Sequence, residues 1–251
     1  MSTGTYSKIK SAKIALLDSL FPIFCLSCRK EGAWLCEKCL AETSILDFQT
    51  CPACEQSITD KGFLCSSCRE TQKSHLDGIV AAASYENPVL KKLVHNFKYR
   101  FVGDISLPLA KLISRALVRN DFPLPDLLLP VPLHPKRLRW RGFNQSLLLA
   151  EYVSEELAPL LDTEVLDILE RKKYNRPQMN VKNYKQRLLN VRNIFGLKPD
   201  TNPDLIKNKN ILLIDDIATT GATLEECAKV LKSAGARKVF AAVVARQSVK
   251  K

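Results

Sequence analysis

From Leu76 onward, apolar residues fall into short runs separated by stretches with helical spacing. Gly78 to Tyr85 (GIVAAASY) predicts a strand. Pro88 to Phe97 (PVLKKLVHNF) predicts a helix, with proline in the first turn, where its missing N–H costs nothing. Ile105 to Val118 is apolar at helical spacing, Asp126 to Val131 (DLLLPV) reads as a short buried strand, and Gln145 to Leu157 as a helix. Val165 to Leu169 predicts another strand, and Asn210 to Ile214 (NILLI) the strongest one. Gly221 to Ala234 predicts a helix ended by Gly235, and Lys238 to Ala245 (KVFAAVVA) a closing strand. Repeated strand, helix, strand units imply right-handed crossovers, hence an α/β fold with a mostly parallel sheet and helices on both faces. Ligands of such sheets sit beyond the carboxyl ends of the strands, so the residues after each strand are the ones to read for chemistry.

Ahead of residue 71 the pattern changes. Ser7 to Phe21 (SKIKSAKIALLDSLF) predicts an amphipathic helix, residues 1–22, stopped by Pro22. Lys8, Lys10, Lys13 and Asp18 interrupt any secretory signal, and no stretch approaches the roughly 20 apolar residues of a membrane span. A cytoplasmic protein is expected, where thiols stay reduced. Eight of the nine cysteines form four Cys-x-x-Cys pairs: Cys25/Cys28, Cys36/Cys39, Cys51/Cys54 and Cys65/Cys68. Two thiolates at that spacing grip one tetrahedral ion from a tight turn, so residues 23–70 read as a double zinc-ribbon module with two structural zinc ions. Pairing in chain order puts Cys25, Cys28, Cys36 and Cys39 on one ion and Cys51, Cys54, Cys65 and Cys68 on the other; a crossed arrangement and a redox role for one pair are the alternatives. Metal binding would supply much of the folding free energy of so small a module. Cys227, alone in a helical pattern, reads as a packed core thiol. Residues 71–251 then form the α/β domain, a division that suits a chain of 251 residues.

Charge sharpens this picture. The 38 Lys and Arg against 26 Asp and Glu give +12, which calls for an anionic partner. Twelve of those cations lie in two stretches: Lys136, Arg137, Arg139 and Arg141, then Arg171, Lys172, Lys173, Arg176, Lys182, Lys185, Arg187 and Arg192 with no acid between 171 and 192. The rest of the chain is neutral. Trp140 and Phe143 interleave with the first stretch, an arrangement that also grips a single strand through base stacking and phosphate neutralisation. A solvated charged helix start, its aromatics in the core, is the competing reading of that stretch, and a solvated loop that of the second. His95 and His134 read as structural rather than as general bases.

After NILLI comes Asp215-Asp216-Ile217-Ala218-Thr219-Thr220-Gly221-Ala222-Thr223. Small residues and hydroxyls fill this turn, so backbone N–H groups, Thr hydroxyls and a helix N-terminus can converge on a phosphate. The two acids would repel a phosphate but suit ribose hydroxyls, with a divalent cation nearby. The expected ligand is a phosphorylated sugar. The turn is neither a Walker loop nor Gly-x-Gly-x-x-Gly.

ILLIDDIATTGAT resembles the 5-phosphoribosyl 1-diphosphate (PRPP) signature of type I phosphoribosyltransferases at every position. The resemblance implies that Asp215 and Asp216 hold the ribose 2′ and 3′ hydroxyls and that Ala218, Thr219, Thr220, Gly221, Ala222 and Thr223 cradle the 5′-phosphate. Together with LPVPLHPKRLRWRGFNQSLLLA (129–150), residues 171–195 and the cysteine knuckles, it resembles the ComF family of competence-associated proteins over nearly the whole chain. By that resemblance, Val131 to Arg137 is the pyrophosphate loop and 171–192 the loop that closes over the site. Lys136, Arg137, Arg139, Arg141, Arg171, Lys172, Lys173 and Arg187 are then the candidates for pyrophosphate or DNA. The family implies PRPP with Mg²⁺ and a part in DNA uptake and natural transformation, with single-stranded DNA and the uptake machinery as partners.

Two functions follow. One is a Mg²⁺-dependent phosphoribosyltransferase of unknown acceptor, whose acceptor reader is sought in residues 76–101. The other is a non-catalytic single-stranded DNA-binding factor that uses the PRPP site for regulation. A PRPP-responsive repressor would need a helix-turn-helix that the sequence does not present.

Overall fold

A computed structural model describes residues 22–100, 102–158, 163–173 and 193–247. The helix expected over 7–21, and Arg176, Lys182, Lys185, Arg187 and Arg192 of the second basic stretch, lie outside the described residues. The chain divides into two compact units, Met1–Thr43 and Ser44–Lys251.

The first unit holds one cysteine group. A knuckle folds where Arg29 takes a left-handed φ of 67° and donates its N–H to Cys25 O at 3.0 Å. A bridge joins Phe24 and Glu31, and helix α1 (Glu37–Glu42) starts directly after Cys36.

The second unit carries, in chain order, β1 (Gln49–Thr50), β2 (Ile58–Thr59), α2 (Ser66–Glu70), β3 (Gly78–Ser84), α3 (Pro88–Tyr99), α4 (Ser106–Arg119), β4 (Leu127–Pro130), α5 (Pro135–Arg141), α6 (Gln145–Leu157), β5 (Glu164–Val165), β6 (Leu169–Arg171), β7 (Phe195–Leu197), β8 (Asn210–Ala218), α7 (Ala222–Ser233) and β9 (Lys238–Arg246). Strands β3-β9-β8-β4-β5 form one sheet in that order, parallel throughout. The run Asn210–Ile214 is apolar without alternation because both sheet faces are covered there, and Ile211, Leu212, Leu213 and Ile214 are at most 1% exposed. The chain leaves β4 toward β5 on one side and β8 toward β9 on the other. Right-handed crossovers therefore place α6 and α7 on opposite faces and make the gap between the ends of β4 and β8 a topological switch point.

Three local outcomes differ from the periodicity. The run Val165 to Leu169 splits into β5, which extends the parallel sheet, and β6, which pairs antiparallel with β7. Apolar spacing cannot separate two half-strands whose faces are buried against different partners. The basic segment 135–141 forms a helix with no apolar stripe: Pro135 opens it, His134 Nδ1 accepts from Lys136 N–H at 3.1 Å, and left-handed Gly142 (φ 84°) closes it. Strand β8 runs on through both aspartates, because β9 pairs with it as far as Ala218 while β4 ends opposite Ile214. Past Ile214 one edge of β8 has lost its strand neighbour, and a cleft opens there.

The second cysteine group is built into the sheet's own unit. Gln49, 4% exposed, donates to Ala81 O and accepts from Ala81 N–H, both at 3.0 Å. Phe63 packs with Phe122 and Phe240 at ring separations of 5.8 and 5.7 Å.

Candidate functional site

The cleft at the switch point measures about 420 Å³. Its floor is the end of β8. Alternation along the strand sends Asp215 and Asp216 to opposite sheet faces, and different partners receive them. Lys98, in the last turn of α3, reaches Asp216 Oδ1 with its Nζ at 2.7 Å. Ser146, in the first turn of α6, donates its hydroxyl to Asp215 Oδ1 at 2.9 Å, and Asp216 N–H donates to the same oxygen at 2.8 Å. Burial and the adjacent Asp216 charge push the Asp215 carboxyl up to about 7. Attraction to Asp216 outweighs burial at Lys98 and raises its ammonium above the ordinary lysine value.

The turn from Ala218 to Thr223 follows. Gly221 takes φ +66° as the N-cap of α7, and a Cβ built there would meet no atom within 4 Å, so the backbone stands open to an approaching group. Thr219 and Thr223 line the cleft; Ala218, Thr220, Gly221 and Ala222 carry the backbone between strand and helix. Asn144 ties the opposite wall together. Its Nδ2 donates to Val131 O and its Oδ1 accepts from Ser146 N–H, each at 3.2 Å, which fixes α6 beneath the loop after β4.

Helical spacing divides the first basic stretch. Arg137 and Arg141, one turn apart on α5, line the cleft, whereas Lys136, Arg139 and Trp140 lie exposed on the other side of the helix. Arg141 is 8% exposed over the Tyr99 ring, and burial lowers its pKa despite Asp216. From the second stretch, Arg171 at the end of β6 enters the cleft over the Phe195 ring, its pKa also lowered by burial and by Arg137. Lys172 and Lys173 are exposed outside it, Lys172 pairing with Glu170 at 3.6 Å, and Arg187 lies outside the described residues. Among the described residues, Nε of Arg141, Nε of Arg171 and Nε2 of Gln145 are buried donors without a partner. Such donors cost free energy unless a ligand oxygen receives them. His134 caps α5, and burial with the Arg171 charge lowers its pKa.

Lys98, Tyr99, Ser146, Gln145, Tyr85 and Gln247 line this site without having been singled out by the sequence motifs. Lys98, Tyr99 and Tyr85 fall in the stretch 76–101 searched for an acceptor reader; three residues separate Gln145 and Ser146 from the end of the basic stretch at Arg141. Periodicity marks Gln145 and Ser146 only as the start of a helix and ends the preceding helix before Lys98, and nothing local to Lys98 or Ser146 signals the aspartates they meet.

The cysteines form two groups in chain order, Cys25, Cys28, Cys36, Cys39 and Cys51, Cys54, Cys65, Cys68, with all four sulfurs of each within 4.8 Å of one another. The two repeat one geometry: Cys36 N–H faces Cys25 Sγ and Cys65 N–H faces Cys51 Sγ, both at 3.5 Å. The Ser57 backbone N–H draws the Cys54 thiol down to about 6, while burial and the neighbouring sulfurs push Cys68 up to about 12. Four sulfurs this close could hold one cation between them, and a closed set of four sulfurs fits structural zinc. Cys227 is fully buried in the core against the sheet.

Residues 144–251 match the phosphoribosyl transferase domain model, which gives the class of the fold. Competence protein F of Haemophilus influenzae is 30% identical over 232 residues, covering 88% of this chain and 96% of that protein. Competence protein ComFC of Streptococcus pneumoniae is 30% identical over 213 residues, 84% of this chain and 87% of its own. DNA utilization protein YhgH of Escherichia coli is 29% identical over 226 residues, with coverages of 87% and 94%. The chain belongs to the ComF family of competence-associated proteins.

Proposed function

We propose that the cleft binds PRPP with Mg²⁺ and that the protein is a phosphoribosyltransferase-domain factor in DNA uptake and natural transformation. The observation that carries this reading is the meeting of Asp215, Asp216 and the Ala218 to Thr223 turn with the buried, unpartnered Nε atoms of Arg141 and Arg171 at one switch point. Asp215 and Asp216 accept from the ribose hydroxyls, the turn receives the 5′-phosphate, and Arg137, Arg141 and Arg171 face the pyrophosphate. Lys98 holds Asp216 oriented, and Ser146 does the same for Asp215. Bound Mg²⁺ would neutralise pyrophosphate oxygens as they depart. In transfer, an acceptor nucleophile would bond to the anomeric carbon as the C–O bond to pyrophosphate breaks, so that the phosphoribosyl group passes to the acceptor and pyrophosphate leaves. The names of the relatives, competence and DNA utilization proteins, support the place in DNA handling. Zinc in both four-cysteine groups completes the reading.

A second reading has its own observation. Trp140 is 60% exposed and Tyr99 53%, their rings 6.5 Å apart, with Arg139 and Lys136 exposed on the same helix. Such a face suits a single strand of DNA, and a binding factor without turnover would use it beside a regulatory PRPP site.

Calorimetry separates the readings. Mg·PRPP should bind once per chain, and Asp215→Asn or Asp216→Asn should weaken it at least about tenfold; no binding by the wild type overturns the PRPP site. Pyrophosphate release with some acceptor among bases, nucleotides and DNA supports the enzyme. Binding without turnover, together with steeply salt-dependent DNA affinity lost in Arg139→Glu, supports the factor.

A further inference from the structure

The phosphate turn is braced from two sides by the segment that carries the second cysteine group. On the strand side, Arg246 ends β9 and pairs in register with Ala218, where the turn begins, and the next N–H, of Gln247, donates to Ala218 O at 2.9 Å. The Arg246 guanidinium points the other way. Its Nη1 donates to Thr50 O and to Thr50 Oγ1, both at 3.0 Å, and its Nη2 reaches Glu55 Oε1 at 3.2 Å. Thr50 and Glu55 flank the Cys51/Cys54 knuckle, and Glu55 N–H donates to Cys51 O at 3.0 Å. The side chains of Arg246 and Glu55 are only 11% and 13% exposed, so this ion pair is sheltered from solvent competition.

On the helix side the brace is Glu225, in the first turn of α7. Its N–H donates to Gly221 O, and its carboxylate accepts from Ser74 Oγ at 2.5 Å and from His75 N–H at 2.7 Å. Ser74 and His75 follow the Cys65/Cys68 knuckle, where Lys73 N–H donates to Cys68 O at 3.1 Å. One knuckle therefore holds the start of the turn and the exit of the other holds its end. The four sulfurs of the two knuckles lie within 4.8 Å of one another, close enough for one metal to join them.

We propose that Arg246 and Glu225 are positioning residues through which the second four-cysteine group sets the phosphate turn, so that metal at that group and a sugar phosphate in the cleft bind cooperatively. The turn needs several N–H groups aimed at one phosphate, and its Gly221 leaves it free to wander unless both ends are held. A metal that fixes the two knuckles fixes both ends. By linkage the coupling is reciprocal: a ligand that orders the turn retains the metal by the same factor. This rests on the reading of the cleft as a PRPP site. The metal-site residues fit zinc as argued above.

The test uses the full chain loaded with zinc. Zinc release to a colorimetric chelator is followed with and without saturating ribose 5-phosphate or Mg·PRPP. The expected result is that ligand slows one of the two metal equivalents by about five-fold or more, the lower range of measured couplings. In Arg246→Lys and in Glu225→Gln the slowing should fall below about two-fold. Equal slowing of both equivalents, or of neither, overturns the inference when ligand binding is measured directly. Should neither ligand bind at all, the reading of the cleft fails instead, and the coupling is then read by hydrogen exchange in the unliganded protein. Arg246→Lys, with both metals retained, should exchange faster at the amides of 219–225 while β3, β4 and β8 up to Ile214 keep their protection. Unchanged exchange in those amides overturns the inference without any ligand.

Discussion

Asp215 is the residue at which the site's electrostatics are least settled by its neighbours. Lys98 compensates Asp216, but Asp215 receives only a hydroxyl and an N–H. Its folded pKa of about 7 stands above that of an unfolded aspartate, so the native state holds the extra proton between roughly pH 4 and 7 and loses stability as pH rises through that window. Above about 7 the penalty is complete. Asp215→Asn keeps both accepted hydrogen bonds and removes the penalty. Its melting temperature should match wild type near pH 4 and exceed it by at least about 2 °C at pH 8; a difference independent of pH in thermal melts would contradict the assignment. Binding of a ribose or cation should also release protons near pH 6.5, visible as buffer-dependent heats. Gly62 makes a second residue-scale case. It sits at φ +71° with its ideal Cβ 2.0 Å from Ile79 O. Gly62→Ala should cost on the order of 3 kcal/mol in denaturant unfolding.

At the scale of elements, α5 decides which cations can act. Its seven residues turn Arg137 and Arg141 inward and Lys136 and Arg139 outward. Arg137→Ala and Arg141→Ala should each weaken Mg·PRPP about tenfold or more in calorimetry, as expected for charge-assisted bonds in a sheltered site. Lys136→Ala and Arg139→Ala should stay within about twofold, since exposed cations are screened. A uniform loss across the four would mean that charge density rather than helix geometry governs binding. In the sequence the four form one cluster, because a helix built without an apolar stripe leaves no periodicity to detect. Strand β8 is the opposite case. Its buried run and the turn chemistry after it are both local, and both were legible.

For the whole molecule, the arrangement of metal groups matters most. One lies in the first compact unit and the other in the unit of the sheet. Elemental analysis of reduced protein should find about two zinc ions per chain, and a Cys51→Ser variant about one. Loss of that second ion should lower the melting temperature of the sheet unit itself, because Gln49, Phe63 and Arg246 tie its surroundings into β3 and β9. An unchanged melt after its loss would show the group to be an appendage. Among the described residues no helix is long and apolar enough to cross a membrane.

What the sequence determined by itself were features written in neighbouring residues: the main alternation of strands and helices, the Cys-x-x-Cys knuckles, the acidic pair and the small, hydroxyl-rich turn after it. Each depends on periodicity, spacing or turn chemistry within a few positions. Tertiary structure alone decided which side chains complete them. Ser146 meets Asp215 from 69 residues away, Glu225 meets His75 from 150, and Arg246 meets Thr50 from 196. Those distances close only when parallel crossovers bring strand ends together, and no local pattern in the chain encodes which ends will meet.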